Sequence, residues 1–193
     1  MQARSEETRR HLLEAALKRF ANYGYTAASV DDICQDAGVS KGAFYYHFPG
    51  KQAVFLALLE IWLTTVDASL ETARQPSVPS TLLGMAEKLP EILVSADGRL
   101  PMFLEFWLQA SRDETIWQAT NAPYQRYQQY FAALVEQGIA EGSFRPVDSQ
   151  AAAQMIVSLA VGTFLQALLD PENNNRAHVT RENMKILLKG LSQ

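Results

Sequence analysis

The stretch TAASVDDICQDAGVSKGAFYYHFPGKQA, residues 26–53, decides how the N-terminal part of the chain folds. Ser29 precedes a short helical run and Asp32 lies three positions further on, a pattern that favours an N-cap at Ser29. Gly38 supplies a turn, and Ser40 is a good N-cap for the next short helix. Two short helices joined by a Gly-containing turn predict a helix-turn-helix, the outline of a DNA-reading motif.

Apolar residues recur at helical spacing along the whole chain, and no segment alternates with period two. We therefore expect an all-α protein of about nine helices, in which a three-helix helix-turn-helix domain, residues 1–50, precedes a helical domain, residues 51–193. Turn-forming residues, such as Asp97-Gly98 and Gly142, separate the periodic segments. The expected helices cover residues 5–23, 30–37, 41–47, 51–74, 80–96, 101–111, 114–141, 149–169 and 179–191.

Charge is distributed unevenly along the 193 residues. The formal net charge is −4, yet residues 1–51 carry seven basic and six acidic side chains, so that part is weakly basic while the rest is acidic. Any attraction for phosphate must then come from a local face built by basic side chains near the motif. These are Arg4, Arg9, Arg10, Lys41 and Lys51.

A reducing compartment is the expected setting, because the single Cys34 cannot form an internal disulfide. Cys34 itself is expected to be a packed small residue. The polar, charged N-terminus does not resemble a secretory signal, and the most membrane-like run, residues 155–169, is short and interrupted by polar side chains. We expect a cytoplasmic protein that needs no membrane.

The third helix has the side chains that a reading helix needs. Lys41 at its start can reach phosphate, while Gly42 and Ala43 permit close approach and Ala43 could meet a thymine methyl group. Tyr46 is the better contact, Tyr45 could face either the groove or the core, and Phe48 is expected in the core. The N-terminus of the second helix is a candidate anion site. The predicted DNA-binding set is Thr26, Ser29, Ser40, Lys41, Gly42, Ala43, Tyr45, Tyr46, His47 and Lys51.

Residues 8–58 resemble the TetR family of bacterial transcription regulators. The resemblance rests on FANYGYTAASVDDI, on DAGVSKGAFYYHF and on PGKQAVF, in that order and spacing. It implies an all-helical homodimer that reads double-stranded operator DNA with its second and third helices. It also implies a C-terminal domain that forms the dimer and binds a small-molecule effector, and a repressor that its ligand releases from DNA.

Aromatic residues cluster in the C-terminal part and indicate either a pocket wall or an ordinary core. Glu105 lies in an apolar run, where a charge is costly unless it is paired or faces a cavity. It could face a pocket for a cationic or amine-bearing apolar ligand, form a salt bridge to Arg126, or lie at the surface. The candidate pocket residues are Trp62, Met85, Phe103, Glu105, Phe106, Trp107, Trp117, Tyr124, Tyr127 and Phe131.

The last two helices are the predicted pairing surface of a homodimer. Residues 149–169 are apolar around most of their circumference, and Ser158 and Gly162, four apart, let two helices approach closely. Two recognition helices about 34 Å apart would then meet a pseudo-palindromic operator. The candidate interface residues are Met155, Ser158, Gly162, Leu165, Leu169, Ile186, Leu187 and Leu191.

Two other classes of function compete with a ligand-responsive DNA-binding regulator. An enzyme would need a nucleophile with a base, a metal cluster or a phosphate-binding loop, and none of these motifs occurs, so no catalytic residue, metal site or cofactor is predicted. A helical adapter that uses the helix-turn-helix only for packing is the alternative. It leaves one set of neighbouring residues without a reason, namely Lys41, Tyr46, His47 and Lys51.

Overall fold

The computed structural model describes residues 2–95, 100–173 and 175–192, without the side chains of residues 2, 3, 91, 93–95, 100, 101 and 103. These parts contain nine α-helices and no strand, which confirms the all-α prediction. The helices are α1 Gln2–Tyr23, α2 Val30–Ala37, α3 Lys41–His47, α4 Lys51–Thr72, α5 Val78–Ser95, α6 Leu100–Ala110, α7 Glu114–Ala140, α8 Ser149–Leu169 and α9 Arg176–Leu191. The predicted break at Asp97-Gly98 lies outside the described residues.

Local chemistry sets the ends of the short helices. Ser29 and Asp32 form a complete capping box at the start of α2, and Gly38 ends that helix in the left-handed conformation, with φ 66°. Ser40 caps α3 by accepting a hydrogen bond from the Ala43 backbone N–H. α1 begins at Gln2, three residues earlier than expected, and ends at Tyr23, directly before Gly24, where φ is 80°.

The described residues pack into two compact units. The first contains residues 1–64 and 98–120, so α6 and the first turns of α4 and α7 lie with α1, α2 and α3. Its core is apolar and includes Leu12, Phe20, Ile33, Phe44 and Phe55, each fully shielded from solvent. The first unit therefore extends beyond the boundary predicted at residue 50, because it also contains residues 51–64 and 98–120.

The second unit contains residues 65–97 and 121–193, with a core formed by α5, α7, α8 and α9. Leu82, Val135 and Ala153 are fully buried there. By length and composition alone, α4 and α8 could each cross a membrane, a test that core helices of ordinary folded domains also pass. Both helices contribute apolar residues to these cores.

Two predictions about packed residues of the N-terminal unit are confirmed. Phe48 is 4 % exposed and belongs to the core. The Cys34 thiol is buried, and that burial raises its pKa. A thiol shielded in this way is a packing group rather than a reactive one.

Candidate DNA-binding surface

Helix α3 presents its polar aromatic side chains to solvent. Tyr46 is 79 % exposed and Tyr45 is 55 % exposed, while Phe44 between Ala43 and Tyr45 is fully buried and holds the helix on the core. The His47 ring is half-buried and packs edge-on against Tyr46, with centroids 5.0 Å apart. The helix thus buries one side chain as an anchor and leaves flat, hydrogen-bonding tips free to meet a base edge or phosphate.

Gly42 lies at the second position of α3 and is exposed. A Cβ built on it would meet only the Ser40 Oγ, at an ordinary contact distance of 3.8 Å. The protein's own packing therefore does not require glycine, although glycine is a poor helix former. Close approach of an external molecule to α3 would explain the glycine at this position.

At the start of α2, Ser29 and Asp32 are already hydrogen-bonded to each other. The Ser29 hydroxyl donates to Asp32 Oδ2 at 2.6 Å, and the Asp32 backbone N–H donates back to Ser29 Oγ at 3.1 Å. The hydroxyl bond and, to a smaller extent, a bond from the Ser29 backbone N–H to Asp32 Oδ2 at 3.2 Å hold the pKa of the Asp32 carboxyl below its usual range. A phosphate contact by Ser29, as predicted, needs this hydroxyl to turn away from Asp32. The other predicted contact in this region, Thr26, is exposed.

Lys41 is exposed and forms an ion pair with Asp31. Its Nζ lies 2.7 Å from Asp31 Oδ1, and the two side chains are 62 % and 64 % exposed. The pair raises the pKa of Lys41, chiefly through the hydrogen bond from its ammonium group to Asp31. The cation predicted to meet phosphate is therefore shared with a carboxylate in the free protein.

Lys51 does not fit the predicted phosphate contact. Its ammonium group turns inward and donates to the backbone carbonyls of Tyr25 at 2.7 Å, Thr26 at 3.4 Å and Ala28 at 2.8 Å. The same Nζ lies 4.4 Å from the centre of the Tyr25 ring. An ammonium group has three donors, so these bonds occupy all of them. Lys51 instead holds the loop between α1 and α2 against the start of α4.

Glu105 also binds this loop. Its Oε2 accepts a hydrogen bond from the Tyr25 backbone N–H at 3.1 Å, and a Cβ on Gly24 would lie 3.1 Å from its Oε1. Gln109, one turn further along α6, donates to the same oxygen at 3.4 Å. Of the three alternatives for Glu105, the salt bridge to Arg126 is not the one observed, because Arg126 pairs with Asp67 at 2.9 Å. The carboxylate in the apolar run is explained by a loop contact within the first unit.

The aromatic ring of Tyr25 extends the same anchoring cluster. It packs between Phe20 at 5.4 Å and Phe55 at 4.5 Å, and Phe55 packs on Phe106 at 4.3 Å. Burial raises the pKa of the Tyr25 hydroxyl, with a smaller contribution from Asp113. Phe106, predicted to line a pocket, is 4 % exposed and belongs to this core.

The remaining pocket candidates divide between the two units. In the second unit, Met85 and Phe131 are core residues, and the Tyr127 hydroxyl donates to Asp67 Oδ1 at 2.7 Å, with burial raising its pKa. Trp62 packs partly against the core of the first unit. The side chain of Phe103 lies outside the described residues. The aromatic candidates exposed by roughly two fifths are Trp107, Trp117 and Tyr124.

The predicted interface residues of α8 and α9 largely face solvent in the single chain. Met155, Leu165, Leu169 and Ile186 are 60 %, 41 %, 78 % and 71 % exposed. Ser158 is exposed and Gly162 and Leu187 are half-buried. A Cβ added to Gly162 would meet nothing within 4 Å. Leu191, at 8 % exposed, instead packs in the core of its own unit.

Asp31 and Asp113 were missed by sequence reasoning. Asp113 Oδ1 accepts hydrogen bonds from Gln52 Nε2 and from the Ile116 backbone N–H, both at 3.0 Å. An Asp just before a helical run is the signal that could have identified it as a cap for α7. Asp31 had no such signal, because its partner Lys41 lies on another helix.

The sequence of this chain matches two models of known protein families. Residues 12–58 match the model described as bacterial regulatory proteins, tetR family, and residues 92–189 match the model described as BetI-type transcriptional repressor, C-terminal. The uncharacterized HTH-type transcriptional regulator YfiR of Bacillus subtilis strain 168 is 27 % identical over 185 residues, which cover 94 % of this chain and 90 % of that protein.

Two solved structures share the fold over nearly the whole chain. The ketosteroid transcriptional regulator KstR2 of Mycobacterium tuberculosis has a TM-score of 0.74 at 23 % identity, covering 96 % of this chain and 95 % of that one. A protein from Saccharomonospora viridis in complex with choline has a TM-score of 0.79 at 22 % identity, covering 97 % and 99 %. At these identities the likeness concerns the fold.

Proposed function

The chain belongs to the tetR family of bacterial regulatory proteins, and we propose that it is a cytoplasmic repressor that binds a pseudo-palindromic operator as a homodimer and is released by a small effector. It is a transcriptional regulator with an N-terminal DNA-binding domain, not an enzyme. To this function the proposal adds four points: that the protein represses transcription, that it is a homodimer, that an effector releases it from DNA, and which residues contact DNA. Residues 1–50 would read DNA, and residues 51–193 would bind the effector and form the dimer.

The exposed face of α3 is the observation that carries the DNA-reading assignment. Lys41, Tyr45 and Tyr46 project from a short helix that Phe44 anchors, and Gly42 leaves room beside them. Ala43 and His47 lie on the same helix and Ser40 caps it. A helix used only for packing, as in the adapter alternative, would have no use for this exposed set.

The solvent-facing apolar stripe of α8 and α9 supports the homodimer. Met155, Leu165, Leu169 and Ile186 would each be removed from water by a second copy of the chain. Gly162 is open on the same helix, so the backbones of two copies could approach closely there. Pairing also brings two α3 helices to one duplex, as a palindromic site requires.

A small apolar or amphipathic molecule is the proposed effector class. The C-terminal match to a BetI-type repressor and the choline complex of a structural neighbour make choline a sensible first probe. Aromatic rings can bind a quaternary ammonium group by cation–π attraction, and Trp107 and Trp117 are partly exposed. Isothermal titration of choline, with an uncharged analogue of the same shape as control, tests this class.

Helix α4 is the proposed link between effector and operator. Its residues 51–64 belong to the first unit and its later residues to the second. Lys51 at its first position holds the loop that precedes α2, so a displaced α4 would move the reading helices. Both half-sites must be engaged together, and effector and operator affinities must then be coupled reciprocally.

Selection of duplexes from a random pool tests the proposed function. We expect the enriched duplex to be pseudo-palindromic and to be bound by a dimer, with an affinity that depends steeply on salt concentration. Tyr46→Ala should abolish selective binding while the circular dichroism spectrum stays unchanged, and Tyr124→Ala, an exposed tyrosine on α7, serves as the control. Full selective binding by Tyr46→Ala would remove α3 from the reading surface and favour the adapter.

A further inference from the structure

Asp31 places a negative charge in the region that is proposed to bind DNA, which is itself a polyanion. It lies in the first turn of α2, is 64 % exposed, and its Oδ1 is 2.7 Å from the Nζ of Lys41, the first residue of α3. α3 contains no other Lys or Arg. The carboxylate therefore holds the single cation that the reading helix offers to phosphate.

Other cations near the N-terminus are also committed. Arg10 pairs with Glu14 at 2.6 Å, and the Arg19 guanidinium forms two hydrogen bonds to Asp36. Lys51 is occupied by loop carbonyls. Because residues 1–51 have one more basic than acidic side chain, each additional free cation changes the phosphate attraction of this region substantially.

We propose that Asp31 competes with DNA phosphate for Lys41 and so sets the overall affinity and salt dependence of DNA binding rather than its sequence preference. In the free protein the ammonium group stays with the carboxylate. On a duplex, phosphate has to draw it away, and the released carboxylate then repels the backbone. The inference rests on the proposed contact between Lys41 and phosphate.

This role differs from direct reading of a base. A carboxylate in the major groove can accept a hydrogen bond from the N4 amino group of cytosine, and its loss would weaken binding only to sequences with that cytosine. A competitor for Lys41 has the opposite effect. Its removal strengthens binding to every duplex, since phosphates are the same in all sequences.

The test compares Asp31→Asn with wild type on the selected duplex and on a scrambled one, across a salt series. We expect binding to both duplexes to tighten by about two- to fivefold for each subunit that contacts the duplex, the range for one exposed ion pair. The plot of log affinity against log salt should also steepen, because removing the carboxylate leaves more net positive charge facing the phosphates. Thermal unfolding of the variant verifies that it is folded.

Two further variants isolate the pair. Glu71→Gln removes an equal charge from an exposed ion pair with Arg74, 2.9 Å long and in the second unit, and should leave DNA affinity unchanged. Lys41→Gln should weaken binding and flatten the salt slope. In that background Asp31→Asn should have a smaller effect than in wild type, because the competition is already absent.

Several results would overturn the proposal. They are weaker binding to the selected duplex alone, unchanged affinity for both duplexes, an equal gain with Glu71→Gln, or an undiminished gain in the Lys41→Gln background. Should the wild-type protein select no duplex, the proposed operator reading fails. The comparison on scrambled duplex at low salt still decides the role of Asp31.

Discussion

The effect expected from replacing Glu105 differs most between the sequence and the structure. If Glu105 had the first of the three roles that the sequence left open, that of a pocket carboxylate, Glu105→Gln would weaken effector binding and leave operator affinity nearly unchanged. In the structure Glu105 Oε2 instead accepts the Tyr25 backbone N–H at 3.1 Å, in the loop that leads into α2. We now expect the main effects on the stability of the first unit and on operator affinity.

The magnitude follows from the kind of bond that is lost. A hydrogen bond to a charged acceptor contributes about 1.5–3 kcal/mol, and a neutral one about 0.5–1.5 kcal/mol. Gln retains an acceptor, so Glu105→Gln should cost about 1 kcal/mol of unfolding free energy. Glu105→Leu leaves the Tyr25 N–H without this acceptor and should cost about 1–3 kcal/mol. In a chain of this size each kcal/mol lowers Tm by about 2–4 °C.

Urea unfolding followed by circular dichroism measures the cost, and a duplex titration without effector measures the consequence for DNA. Loosening the loop before α2 should lower operator affinity, more for Leu than for Gln. Glu87→Gln is the matched control, because Glu87 forms an exposed pair with Arg181 at 3.0 Å, and it should change stability by less than about 0.5 kcal/mol. If Glu105→Gln is as stable as this control, keeps full operator affinity and loses effector binding, the loop-anchoring role is refuted.

Three further predictions test other parts of the molecule. Gly42→Ala should raise unfolding free energy by up to about 0.5–1 kcal/mol while weakening operator binding; a gain in both would contradict close approach at Gly42. Gly162→Leu should shift the dimer towards monomer in sedimentation velocity, whereas Gly190→Leu, equally open in one chain, should not; two dimeric variants would place the interface elsewhere. Asp32 has a lowered pKa when folded, so the stability lost in Asp32→Asn should be constant from neutral pH to about 3.9 and shrink as pH falls further; a difference independent of pH down to 2 would contradict the capping role.

Much of the fold was predictable because helices are encoded locally. The predicted and observed limits of α2, α3 and α8 coincide, and those of the other helices differ by up to three residues at either end. The capping box at Ser29 and the left-handed Gly38 were both readable from spacing and residue type. Tyr46 was expected at the surface and is exposed there.

The candidate site was less predictable, because side chains find partners far away in sequence. Lys51 donates to carbonyls 23 to 26 positions earlier, and Glu105 binds a backbone N–H 80 positions earlier. Spacing along one helix carries no information about such contacts. A basic residue after the reading helix therefore looked like a phosphate contact, and an acidic residue in an apolar run looked like part of a pocket.

The sequence by itself determined the helical architecture, the helix-turn-helix and the residues that α3 presents, since periodicity, caps and turns depend on neighbours within a few positions. Only the tertiary structure decided what the charged groups do. It turned Lys51 and Glu105 onto the loop before α2, and it placed Asp31 against Lys41. The physical reason is that a charge pairs with the nearest suitable group in space, and folding sets that distance.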